Sequence, residues 1–398
     1  MEKTEKDSVI ADLLNRGVVS IYPSKEFLEK ELKSGKRLTI YHGIDPTGPS
    51  LHLGHVIQLL KLAEFQRLGH KIILLIGDFT ATIGDPTDKL AARVPLTREQ
   101  VMSNCRLYKK QASKFISFHG ENKAELKYNS RWFGKMTMAD ALRLFSQITY
   151  AQTIKRDMFQ KRIAEGKDLY IHEFMYPALQ GYDSVVMDVD GEIGGNDQTF
   201  NMLFGRDMLK KTKNKEKFVL TTKLLTDISG KKMGKTEGNM VALTDSPHEM
   251  YGKIMSWADE MMEAGFELCV GSVALNKARA DLSAGKNPKE VKARLAFNIV
   301  EMCHSKKDAV LAGKAFENAF SRKAPDSFCD VSAKAGDFLS DVLVGAGIVS
   351  SKSEFWRLIA SGSIENLEEK TKIADPKAVV SKEMKIRIGK KKFVRIAI

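Results

Sequence analysis

Tyr41-His42-Gly43-Ile44-Asp45-Pro46-Thr47, followed closely by Ser50-Leu51-His52-Leu53-Gly54-His55, is the stretch on which the fold turns. It lies between two patterns of different period. Residues 37–44 form a short apolar and β-branched run that ends on the turn signal Gly43-Ile44-Asp45-Pro46. From about Leu51 to Leu68, Val56, Leu59, Leu60 and Ala63 recur at helical spacing, and Gly69 supplies a stop. Residues 71–77 then read as a buried strand. Strand, loop, helix, strand is the βαβ unit of a parallel sheet. Further strands are expected near Lys127-Tyr128-Asn129 and over residues 185–189, so residues from about 30 to 225 form one α/β nucleotide-fold domain.

The same stretch carries chemistry. In such sheets ligands bind beyond the carboxyl ends of the strands, and a helix N-terminus offers free N–H groups to phosphate. His52 and His55 straddle Gly54 at this junction. The histidines can donate to phosphate oxygens, and the glycine lets a flat base approach the backbone. A lone histidine is more often structural; the pair at this junction argues for a site. A second constellation, Lys231-Lys232-Met233-Gly234-Lys235-Thr236, places lysines three apart in a glycine-containing loop. As an isolated run it reads as a solvated loop. Paired with the first motif, it reads as a clamp for a pyrophosphate whose charge develops during reaction. Between the two, Tyr176, Gln180 and Asp183 fall at i, i+4 and i+7 and share one helical face. As a pattern alone this stripe would face water. Pro177 within it implies a kink or a first helical turn.

His52-Leu53-Gly54-His55 with Lys232-Met233-Gly234-Lys235-Thr236 resembles the two ATP-binding motifs of class I aminoacyl-tRNA synthetases. Gly43-Ile44-Asp45-Pro46-Thr47 and Gly194-Gly195-Asn196-Asp197-Gln198 are similar to the tyrosyl branch more than to the tryptophanyl one, which shares parts of the framework. The resemblance implies ATP and tyrosine as substrates, magnesium with the ATP phosphates, and tRNA(Tyr) as partner. It implies that Thr47, His52 and His55 face one side of the ATP, with Lys232, Lys235 and Thr236 closing from the other. Gly43, Asp45, Gly54, Gly195, Asp197 and Met233 are implied to hold ATP, with Asp197 at the ribose. Tyr41 and Asp183 would meet the phenol hydroxyl, with Asp85, Tyr176, Gln180 and Gln198 around the rest of the tyrosine. No dedicated protein metal site is expected. A homodimer is implied by the family only.

Residues from about 247 to 320 turn helical, broken at residues 264–271 and at Gly285-Lys286-Asn287-Pro288, and residues 321–327 read as a linker. The last segment, with Phe338-Leu339-Ser340-Asp341-Val342-Leu343 and Phe355-Trp356-Arg357-Leu358-Ile359, resembles an S4 RNA-binding domain. Phe355-Trp356 departs from the small and basic residues more usual there. From Asp337 onward twelve Lys/Arg stand against eight Asp/Glu, and Lys385-Ile386-Arg387-Ile388 alternates like a strand with one basic face. Arg357, Lys385, Arg387, Lys390 and Lys391 are the expected RNA contacts; a solubilising basic tail is the alternative. The fold class expected is α/β: a Rossmann-like parallel-sheet catalytic domain over residues 1–245, an α-helical anticodon-binding domain over 246–328, and a small α+β S4-like domain over 331–398.

Composition sets outer bounds. The chain has 398 residues, 43% hydrophobic and 28% charged, an ordinary globular mixture long enough for two or three domains. Its net charge of +13 suits a polyanionic partner. The four cysteines form no CxxC pair and sit near no histidines at zinc-ligand spacing, which points to free thiols in a reducing cytoplasm. Residues 1–7 are too polar for a secretory signal. A non-catalytic RNA-binding protein on the same scaffold is the rival from another class.

Overall fold

Lys71–Ile76 is buried at every position after the first. A strand apolar on both faces needs cover on both, the condition met inside a parallel sheet. In the computed structural model, which describes residues 3–87, 96–234, 239–320, 328–369, 371–389 and 392–398, that strand is third in chain order of the six in its sheet and lies between two parallel neighbours. The strands are β1 (Val18–Tyr22), β2 (Thr39–Ile44), β3 (Lys71–Ile76), β4 (Glu125–Tyr128), β5 (Gly191–Gly195) and β6 (Phe218–Thr222). Their order is β1-β6-β5-β2-β3-β4, with every pair parallel except β1 against β6. The expected α/β fold is therefore present. Lys235, Thr236, Lys390, Lys391 and the expected linker at 321–327 lie outside the described residues.

β2 is the pivot. The chain leaves it for β3 and β4 on one side, then returns to β5 and β6 on the other. Strand order reverses between β2 and β5, and the crevice at their carboxyl ends is where such sheets bind ligands. The crossover helix Leu53–Arg67 buries Val56, Ile57, Leu59, Leu62 and Phe65. It starts within two residues of the boundary expected at about Leu51, with His52 as its cap.

Residues 185–189 are not a strand. They finish the helix Ile171–Met187, which Asp188 ends in the left-handed region at φ 50°. The strand is Gly191–Gly195, which lies just after the stretch expected to be one. Glycine is a poor strand former, but here neighbours leave no room for more: a Cβ on Gly191 would sit 2.0 Å from the Phe218 ring. Pro177 lies in the interior of its helix, not in the first turn. That helix runs along Thr199–Lys213, and a Cβ on Gly181 would come within 3.1 Å of Gly205 Cα. Close helix packing at these glycines offsets the roughly 3 kcal/mol that an interior proline costs.

The helical stretch begins at Pro247–Met255, whose N-terminus carries a reciprocal Ser246/Glu249 cap with proline in the first turn. The expected break at 264–271 is a wide π turn, Phe266–Val270, ending at Gly271 with φ 133°. The helices Ser272–Ser283 and Pro288–Cys303 flank the second break. The chain divides into two compact units, Met1–Ala309 and Val310–Ile398. Among the described residues no helix is long and apolar enough to cross a membrane.

The second unit holds β7 (Cys329–Ser332), β8 (Ile364–Asn366), β9 (Thr371–Lys372), β10 (Met384–Ile388) and β11 (Lys392–Ala397), ordered β7-β11-β10-β8-β9. Helices Leu339–Gly345 and Lys352–Ala360 supply Leu339, Leu343, Phe355 and Ile359 to a core shared with Ile386, Val394 and Ile396. Phe355, the departure noted above, is a core residue, while Trp356 beside it is 52% exposed. β10 alternates as its sequence does, burying Met384, Ile386 and Ile388. Its basic face is not bare: Lys385 lies 3.6 Å from Glu368, and Arg387 pairs with Glu365. Exposed pairs of this kind contribute little and exchange partners readily. Arg357 is exposed on its helix.

Candidate active site

All the described candidate residues for the two small substrates line one cleft of about 620 Å³ at the β2/β5 crevice. The crossover helix provides the first wall. His52 Nδ1 accepts from the Gly54 N–H at 3.1 Å, and His55 Nδ1 accepts from the His52 N–H at 3.1 Å. The two rings lie 3.9 Å apart. This cap uses both Nδ1 atoms as acceptors, so each neutral ring carries its proton on Nε2. Burial, helped by the Lys232 charge, lowers His52 to about 4. Burial and the neighbouring His52 and His42 hold His55 well below the usual range. Both are therefore neutral Nε2–H donors at pH 7. Gly54 also has a reason the sequence did not supply: a Cβ there would meet the His52 ring at 2.8 Å.

Asp45, at the end of β2, accepts from Thr80 Oγ1 at 2.7 Å and from the Tyr176 hydroxyl at 2.8 Å. Gly77 makes this possible, since a Cβ there would fall 2.0 Å from Asp45 Oδ1. The polar stripe of the Pro177 helix thus faces inward. Gln180 Nε2 donates to Glu192 at 3.0 Å, and Asp183 Oδ1 accepts from Trp132 Nε1 at 2.8 Å. Asn129 Nδ2 reaches the other Asp183 oxygen at 3.4 Å. Burial pushes Asp183 well above the usual carboxylate range, and these two N–H donors pull against it. Across the cleft Gln198 Nε2 donates to Asp85 at 2.6 Å, while Thr87 holds the second Asp85 oxygen through its N–H and hydroxyl.

Lys232 spans to Asp197 at 2.7 Å, which brings the start of the second motif to the end of β5. Asp197 also explains Gly195, where a Cβ would lie 2.5 Å from its Oδ1. The remaining described members, Thr47, Gly43 and Met233, line the same wall.

Several participants were not singled out from the sequence. Trp132 and Asn129 hold Asp183; Asn129 stood at an expected strand end, but nothing local tied it to residue 183. Glu192 stands two residues before the Gly194-Gly195-Asn196-Asp197-Gln198 motif, and nothing in the sequence gave it a role. Lys217 had no signal at all, because Lys213-Asn214-Lys215-Glu216-Lys217 reads as a solvated loop. Its side chain is fully buried, paired with buried Glu192 and donating to Ser184 Oγ at 2.9 Å. Burial lowers its ammonium pKa and Glu192 raises it. Ser184 Oγ lies 2.9 Å from the Tyr41 hydroxyl.

The depressed histidines set an acid limit. A histidine whose folded pKa lies below its unfolded value contributes stability above the unfolded pKa and loses it as pH falls through the folded one. For His52 that window runs from about 6.5 down to about 4. Thermal midpoints measured across it should fall less steeply for His52→Asn, which keeps an acceptor for the cap, than for the parent. Equal slopes would remove His52 from the acid response.

A family profile described as tRNA synthetases class I (W and Y) matches residues 33–321. "Tyrosine--tRNA ligase 2" of Vibrio vulnificus (strain YJ016) is 41% identical over 389 residues, covering 97% of both chains. "Tyrosine--tRNA ligase" of Haemophilus ducreyi is 40% identical over 397 residues, with 98% of both covered. Among solved structures, a C-terminally truncated mitochondrial tyrosyl-tRNA synthetase of Coccidioides posadasii aligns with a TM-score of 0.64 at 27% identity, over 77% of this chain and 91% of that one. The tyrosyl-tRNA synthetase of Archaeoglobus fulgidus, solved with L-tyrosine, shares the fold with a TM-score of 0.61 at 22% identity, over 79% of this chain and 100% of its own. A matched family profile over most of the chain, and relatives at this identity over nearly all of it, make the conclusion direct: the chain belongs to the class I tRNA synthetases, with the tyrosine–tRNA ligases.

Proposed function

We propose that this chain activates tyrosine with ATP to tyrosyl-adenylate and pyrophosphate, then transfers the tyrosyl group to the 3′ end of tRNA(Tyr). The observation that carries the reading is the meeting of Tyr41 and Asp183 in one cleft with His52, His55 and Lys232. The tyrosine carboxylate is ionised at neutral pH, so its attack on the α-phosphate needs no general base. Catalysis is then positioning and charge stabilisation. Thr47 and the two Nε2–H donors contact the phosphate chain, and Lys232, with Lys235 and Thr236, follows the departing pyrophosphate. Magnesium enters as part of the ATP substrate, held by phosphate oxygens and water. Gly43, Asp45, Gly54, Gly195 and Met233 shape the nucleotide half, with Asp197 on the ribose. Asp85, Tyr176, Gln180 and Gln198 surround the tyrosine amino group.

Specificity follows from burial. Phenylalanine would deny Tyr41 and Asp183 the hydrogen bonds that a phenol hydroxyl makes to them. Enzymes of this family reach discrimination of about 10⁵ without editing, a family value and not one obtained for this chain. ATP–pyrophosphate exchange across the twenty amino acids should respond to tyrosine alone. Asp183→Ala should lower the tyrosine-to-phenylalanine ratio of kcat/KM about 10–100-fold, the worth of a hydrogen bond to a charged group. Exchange with tryptophan instead would overturn the pocket, and no exchange would favour an RNA-binding scaffold.

The helical region 246–328 is assigned to the anticodon side of tRNA, and the S4-like unit, 331–398, to further RNA contact through Arg357, Lys385, Arg387, Lys390 and Lys391. Support comes from the basic alternation of β10 and the exposed Arg357. Arg357→Glu with Arg387→Glu should leave exchange intact and weaken tRNA charging; equal charging would count against the assignment.

The protein acts as a cytoplasmic homodimer in this reading. Met138, Leu142, Tyr150 and Ile171 are 76%, 64%, 70% and 71% exposed within one stretch of the first unit. Large apolar groups left this exposed suit an interface with a second copy. Light scattering should give twice the chain mass, and Leu142→Glu with Ile171→Glu should halve it. A monomeric parent would dismiss the dimer.

A further inference from the structure

Arg156 carries a charge that the reaction described above does not use. It stands at the start of the helix Asp157–Ala164, but its side chain makes no cap there. The guanidinium instead lies over the Phe200 ring, 4.8 Å from the centroid, and over that of Phe159 at 5.7 Å. Phe159 is fully buried and stacks on Phe174, with 4.7 Å between centroids. Phe200 follows Gln198 by two residues, and Phe174 precedes Tyr176 by two. The arginine is thus seated on the helices that also bring Tyr176 and Gln198 to the cleft. Two rings hold its planar group in one orientation, a constraint that a lysine ammonium would not feel in the same way.

Its polar end reaches the proposed ammonium site at one remove. Arg156 Nη2 donates to Thr87 Oγ1 at 2.9 Å, and Thr87 Oγ1 lies 2.7 Å from Asp85 Oδ1. The direction of this relay is settled at both ends, because a guanidinium only donates and a carboxylate only accepts. The Thr87 hydroxyl therefore takes a hydrogen from Arg156 and gives its own to Asp85. The Thr87 N–H adds a second bond to the same oxygen at 3.0 Å, and Gln198 Nε2 donates to the other at 2.6 Å. Three of the roughly four acceptor sites of the carboxylate are filled from within the protein. Asp85 lines the cleft, so the site left over is open to an N–H of the ligand. A guanidinium paired directly with Asp85 would compete with a substrate ammonium for the same charge. Set back by one hydroxyl, it orients the carboxylate and leaves the charge to the ligand.

We propose that Arg156 is a positioning residue for substrate recognition: through the Thr87 hydroxyl it fixes the Asp85 carboxylate to receive the α-ammonium group of the amino acid. The proposal rests on the reading that places the tyrosine amino group at Asp85. Without Arg156 the Thr87 hydroxyl is free to turn, and Asp85 loses one of its three fixed donors. The sign of the effect separates this role from a bare charge. By Coulomb's law, removing a positive charge near the site should tighten binding of a cation and weaken binding of an anion. Losing the relay should weaken binding of the cation and leave an anionic ligand that has no ammonium unaffected.

The test uses the full-length protein, with pyrophosphate exchange on tyrosine and competition by two analogues. Tyramine keeps the ammonium and lacks the carboxylate; 3-(4-hydroxyphenyl)propionate does the reverse. Arg156→Gln should raise the tyrosine KM and the tyramine inhibition constant about tenfold, the worth of one ordinary hydrogen bond. Turnover should change little, as expected when binding shared by ground and transition states is lost. The inhibition constant of the propionate should keep its parental value. Thr87→Val should give the same pattern. The double variant Arg156→Gln/Thr87→Val should be no worse than Thr87→Val alone, since the two residues act in series. Both analogues weakened alike by both single variants would indicate a general disturbance of the site. Tighter tyramine binding would indicate a bare charge effect, and additive losses would indicate independent roles. Any of these three results would overturn the inference alone. Asp85→Asn that weakens tyramine no more than the propionate would overturn the reading beneath it, that the amino group sits at Asp85.

Discussion

Asp45 is the tie on which the cleft depends. It stands at the end of β2, where the sheet divides toward β3 on one side and β5 on the other. One of its oxygens holds Thr80, beyond β3, and the other holds Tyr176 on the Pro177 helix. Three separate segments are thereby fixed around one crevice. The position tolerates no bulk nearby, which is why the backbone facing it is Gly77. From this point the polar stripe of the helix must face inward, and Gln180 and Asp183 follow Tyr176 into the cleft.

The electrostatics of the cleft are set by what each carboxylate is given. Asp85 is held by Thr87 and Gln198, Asp183 by Trp132 and Asn129, Glu192 by Lys217 and Gln180, and Asp197 by Lys232. Buried acids that are not satisfied would neutralise themselves. Here neutral donors serve the two expected to meet tyrosine, Asp85 and Asp183, while the lysines serve Glu192 and Asp197. The opposite wall carries no histidine charge, since burial keeps His52 and His55 neutral. Donors that are neutral before reaction stabilise an anionic phosphate chain without first needing a proton.

The second unit follows a simpler rule. Its strands alternate, its core closes around Phe355 and Ile386, and its basic side chains pair across the surface with Glu365, Glu368 and Asp330. Such pairs are weak enough to yield to a polyanion. A net charge of +13 is thus compatible with a face on which basic and acidic side chains are locally balanced.

What the sequence determined by itself was everything that local order specifies. The 3.6-residue period fixed the crossover helix, because helical periodicity is a local property of the chain, whereas the cap that His52 and His55 make at its start was seen only in the structure. The shared face of Tyr176, Gln180 and Asp183 was equally legible, since helical geometry alone aligns them. Tertiary structure decided which way that face turned. It also decided that residues 185–187 would finish a helix and that Gly191-Glu192-Ile193-Gly194-Gly195 would be a strand, because Phe218 and the neighbouring strands, not propensity, set the space available. Trp132 at Asp183 and Lys217 behind Tyr41 were invisible for the same reason. The burial and partners of a side chain are properties of segments far away in the chain, and no local pattern records them.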